Sequence, residues 1–68
     1  MMENYYVVHA SGEEPFLVSS KSVMTEREVI DKCKQERLFI EQSNAKSAWV
    51  DMNPTNSEIA KHGSFIPI

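Results

Sequence analysis

The sequence predicts a small α+β domain: an antiparallel sheet with one helix packed on one face, in the order ββαββ, then a short C-terminal helical turn and an apolar tail. Three observations carry this expectation. The segment Thr25–Arg37 has a capped, charge-paired helical pattern, the flanking segments are short runs of β-forming residues, and turn residues separate them. A two-layer arrangement is the natural way for such elements to bury their apolar faces. All 68 residues form one small domain.

The first strand is Tyr5-Tyr6-Val7-Val8-His9-Ala10, an unbroken β-forming run of the kind expected at the centre of a sheet. Ser11-Gly12-Glu13-Glu14-Pro15 is turn chemistry, with Gly12 available for a positive φ. Phe16 to Ser20 then returns antiparallel as the second strand. Thr25, followed three residues later by Glu28, matches the capping box, in which side chain and backbone of the two residues satisfy each other. Met24 stands where it can staple onto Val29. Arg27–Asp31, Glu28–Lys32 and Lys32–Glu36 are opposite charges one turn apart. The apolar stripe, Val29, Ile30 and Cys33, is thin, so this helix needs a sheet or another chain to lie on.

Leu38-Phe39-Ile40 breaks the stripe, since Leu38 falls roughly opposite Val29 at about 100° per residue. The preferred reading ends the helix near Arg37 and starts a strand at Leu38–Gln42. The alternative carries the helix past Phe39. Ala48–Met52 forms the fourth strand, joined to the third through the polar loop Ser43–Ser47. Asn53-Pro54-Thr55-Asn56 stops it, and Ser57–Gly63 has a cap residue at one end and glycine at the other. Ser64-Phe65-Ile66-Pro67-Ile68 is the apolar tail.

Composition sets the limits on function. A chain this short buries only about 60% of its unfolded surface, and dimerisation is one common route to a larger core. The net charge of −3 disfavours non-specific nucleic-acid binding, which needs several phosphates neutralised. A single cysteine, Cys33, rules out an intramolecular disulfide framework and suits a reducing compartment. No stretch approaches the ~20 apolar residues of a membrane span, and the first residues lack the zones of a signal peptide. The expected location is cytoplasmic.

No motif for catalysis, metal or nucleotide rises above background, so neither enzyme activity nor a cofactor is expected. His9, Cys33, His62 and Asp51 lack the paired spacing of a zinc site. Gly12 and Gly63 are isolated and form no phosphate cradle. Glu13 and Glu14 read as a solvated turn.

Strand alternation puts Ala48, Val50 and Met52 toward the helix and Trp49 and Asp51 away from it. The same rule in the third strand sends Leu38 and Ile40 inward and Phe39 outward. With Tyr5 outward, His9 joins that side. Tyr5, Phe39 and Trp49, with Phe65 and Ile66 of the tail, are therefore the candidate partner-binding residues, because exposed aromatic groups often anchor protein interfaces. The competing reading is that the tail folds back and turns this face into a second small core.

The function expected is a small non-enzymatic interaction module, a regulator or inhibitor, that binds a protein partner or itself as a homo-oligomer. The alternative is a nucleic-acid-associated protein that stacks bases on the same face. In shortness, acidity and lack of site motifs the chain is similar in style to accessory proteins of phages and other mobile elements. No motif carries that likeness, and it assigns no residue a role.

Overall fold

A computed structural model of the protein describes residues 3–68, and its frame is the hairpin of β1 (Asn4–Ala10) and β2 (Glu13–Ser20). Gly12 turns the chain between them at φ 85°, a left-handed value open to a residue without Cβ. The loop is tighter than the expected five residues, because Glu13, Glu14 and Pro15 join the strand. Tyr6 pairs with Val18, Val7 with Leu17 and Val8 with Phe16, and the register slips once before Ala10 meets Glu13. β3 (Trp49–Asp51) lies antiparallel outside β1, and β4 (Ile66–Pro67) lies parallel outside β2, so the strand order is β3-β1-β2-β4. The molecule is a small α+β fold, as expected, with helices packed on a four-stranded sheet. The sheet is mixed because its fourth strand is the tail, which reaches β2 after a helix rather than through a hairpin.

α1 (Glu26–Gln35) starts with the expected capping box. The Glu28 N–H donates to Thr25 Oγ1 at 3.2 Å, and the Thr25 N–H donates to Glu28 Oε1 at 2.8 Å. It stops near Arg37, which takes a left-handed φ of 55° and lets the Leu38 N–H close back on the Cys33 carbonyl at 3.0 Å. α2 (Asn56–His62) repeats the same start: Thr55 caps it, with Glu58 completing the box. Gly63 ends it at φ 72°.

The segment after α1 corrects the expectation of a strand. Residues 38–41 are irregular, and Gln42–Ser47 is a 3₁₀ helix. Phe39 turns inward and is only 5% exposed, whereas Ile40 is 79% exposed. The reason is volume. The thin stripe of α1 gives the core only Val29 and Cys33 fully buried, which leaves room that a phenyl ring fills better than an isoleucine. Phe39 meets Phe16 edge-on, with ring centroids 5.6 Å apart. Glu13, expected in a solvated turn, ties this segment down: its carboxylate accepts from Asn44 Nδ2 at 2.6 Å and from the Ile40 N–H at 3.3 Å.

The main core lies between the sheet and α1 and consists of Tyr6, Val8, Val18, Val29, Cys33, Phe39 and Val50. Ala48, Met52 and Ile68 pack at its margin. The Tyr6 hydroxyl accepts from the Met24 N–H at 3.1 Å, so its polar end is satisfied inside an apolar layer. Val7 and Leu17 face the other way and are equally buried. α2 covers them: Val7 shares a cleft with Glu58, Lys61 and His62. The sheet therefore lies between α1 on one face and α2 with Phe65 on the other.

Two outcomes test this core. Phe39→Ala is expected to cost about 3–5 kcal/mol, much of the few kcal/mol available to a chain this size, whereas Ile40→Ser stays within about 0.5 kcal/mol. Urea midpoints of the two variants check it, and a strand at 38–42 would reverse the order. Burial also pushes the Cys33 thiol up, from 9.0 to about 11. The unfolded thiol ionises first on raising pH, so this contribution is complete below pH 9 and is lost as pH climbs toward 11. The urea midpoint is expected to fall across that window more steeply in the native chain than in Cys33→Ala.

Candidate functional site

Alternation along β1 decides which side chains face away from α1. Tyr6 and Val8 enter the main core, so Tyr5, Val7 and His9 point to the opposite face. Their pairing partners Ser19, Leu17, Asp51 and Trp49 share that face. Trp49 is directly opposite His9, and the two rings stack with centroids 4.0 Å apart and an interplanar angle of 3°. The indole is nevertheless 54% exposed. Phe65 comes over from the tail and meets Tyr5 edge-on, with ring centroids 5.5 Å apart, and stays 48% exposed. Each exposed ring thus rests on a partly buried one, which fixes its orientation before anything binds.

Between α2 and the hairpin is a cleft of about 460 Å³, with Val7 and Pro15 as apolar wall and His9, Glu14, Glu58, Lys61 and His62 around it. Two imidazoles share it, yet among the described residues no three His, Cys, Asp or Glu side chains come together as a metal site.

Of the residues expected at a partner surface, Tyr5, Trp49 and Phe65 are on this face. Ile66 is on the edge strand β4, paired with Val18 and partly exposed. Phe39 is withdrawn from the set: without a strand at 38–42 nothing turns it outward, and it sits in the α1 core. The tail does fold back, as the competing reading held, and places Phe65 on Tyr5, but it leaves Trp49 open. The contribution of α2 to the cleft was missed in the sequence. The Thr55-to-Glu58 spacing, identical to Thr25-to-Glu28, was the signal that could have extended that helix to its true start.

The edges of the sheet are closed to strand pairing at two outward positions. On β3, the Val50 N–H is taken by Glu26 Oε2 of α1 at 2.9 Å. On β4, the Ile68 N–H points inward to the Ser19 carbonyl at 2.8 Å, so Pro67 beside it faces out, and proline has no N–H. Pro15 lies on the part of β2 that β4 does not reach and has no N–H to offer an added strand.

One polar group remains unmatched. Ser19 Oγ is buried under this face and finds no hydrogen-bond partner among the described residues. No helix among those residues is long and apolar enough to cross a membrane. Compared with known proteins, the chain matches no family model, and no curated protein or solved structure shows significant similarity to it.

Ser19→Ala removes a hydroxyl that gains nothing from folding and loses its water, so the variant is expected to be neutral or more stable by up to about 1–3 kcal/mol. A thermal melt checks this, and a lower midpoint would mean the hydroxyl has a partner in solution.

Proposed function

We propose that the protein is a small non-enzymatic interaction module, and that it docks another protein chain, or a second copy of itself, through the sheet face opposite α1. Trp49 is the anchor, and the observation that carries the reading is its posture. A large amphipathic ring, more than half exposed, is held flat on His9 at 4.0 Å. A ring already ordered loses little side-chain entropy on binding, and tryptophan is among the residues that contribute most at interfaces. The closed edges favour docking by face over strand addition, the other common way for a sheet to take a partner. Tyr5 and Phe65 extend the surface beyond Trp49, and Ile66 borders it.

The test uses a photo-cross-linking phenylalanine analogue, placed at Phe65 in one variant and at the exposed Ile40 on the opposite side in another. The expected result in the cells that make the protein is a covalent adduct with a protein from position 65, greatly reduced by adding Trp49→Ala, with a circular-dichroism check that the fold is kept. Adducts from position 40 alone, or adducts at 65 that ignore Trp49→Ala, would overturn the reading.

A further inference from the structure

Taking that docking face as its starting point, we infer that the occupant is a basic segment of another protein that presents arginine to Trp49, rather than a second copy of this chain. The placement of charge carries this. The sequence holds ten acidic and seven basic side chains. α1, the 3₁₀ helix and the stretch between them hold five of each, and Glu13 joins them because its carboxylate bonds to Ile40 and Asn44. That side is close to neutral. On the α2 side, Glu14, Glu58 and Lys61 line the cleft, and Asp51 shares the face with Val7. The face that presents Trp49 therefore carries three acids against one base.

Such a face repels its own copy. A two-fold dimer sets the same patch against itself, which would bring this excess of negative charge against the same excess. It repels phosphate backbones for the same reason. What it attracts is a cationic chain. Asp51 is two residues from Trp49 on the same strand, hence on the same face and about 7 Å along it. A planar guanidinium lying on the outer side of the indole can reach that carboxylate with its edge, a geometry open to arginine and not to the compact lysine ammonium. Glu14 and Glu58, beside the cleft, accept a further basic side chain.

The experiment is an NMR titration of the ¹⁵N-labelled protein with three synthetic twelve-residue peptides, alternating Ser with Arg, Lys or Glu, at low and at high salt. The expected result is that the Arg peptide shifts Trp49 and Asp51 signals and the Lys peptide binds roughly 2–5-fold more weakly. The Glu peptide is expected to shift nothing, and added salt to weaken the Arg peptide several-fold. The double variant Glu14→Gln/Asp51→Asn weakens Arg-peptide binding while the melting midpoint holds, since the side-chain amide introduced at position 51 keeps an oxygen for the Asn53 N–H, which now donates to the Asp51 carboxylate. Equal binding of the Glu peptide, indifference to salt or to the double variant, or an oligonucleotide shifting the same signals would each overturn the inference. So would a dimer by sedimentation that Trp49→Ala dissolves. If Phe65 adducts depend on Trp49 while the Arg peptide fails, the basic partner falls and the docking face stands; if those adducts also fail, both fall.

Discussion

The structure turns on β1 being buried on both sides. Tyr6 and Val8 enter one layer and Val7 the other, all with almost no exposed surface. A strand of that kind obliges the chain to build cover for two faces from 68 residues, and one ten-residue helix is not enough. The second face is closed by a seven-residue helix and by the Phe65 ring laid on Tyr5. Cover this small stops short of the β3 side, and that is why Trp49 remains open while Val7 and Leu17 do not.

How much of this was legible follows from the kind of signal each element carries. The Thr25–Glu28 box, the run Tyr5–Ala10 and the face assignment of Ala48–Met52 were local patterns, and they fixed the start of α1, the central strand and the direction of Trp49. The end of α1 near Arg37 followed from the broken stripe alone, without any glycine to mark it. Leu38-Phe39-Ile40 was misread because three apolar residues in a row satisfy strand alternation in either phase. Which of them goes inside depends on the space left by α1 and Phe16, a tertiary fact. The tail was legible as apolar, but its pairing with β2 needed the path of α2 across the sheet. At the site, Tyr5, Trp49 and Phe65 could be placed from alternation and composition; the cleft could not, since it joins Glu14 to residues more than forty positions later.

Charge segregation and edge closure act together on what the surface can do. Glu26 belongs to the balanced α1 side, yet its carboxylate occupies the one outward donor of β3. Pro15 and Pro67 achieve the same on the other edge by lacking a donor. A sheet with blunted edges and one charged face is protected from lateral growth into larger β-assemblies, an advantage for a chain whose strands are short and whose core is small.

The stack of His9 and Trp49 has a practical corollary. Trp49 is the chain's single tryptophan, so indole emission, excited beyond the absorption of the two tyrosines, comes from one known place. An imidazole lies against one side of that chromophore and solvent against the other. Anything that seats itself there changes the polarity around a lone indole, and the protein carries its own optical gauge of occupancy with no label attached.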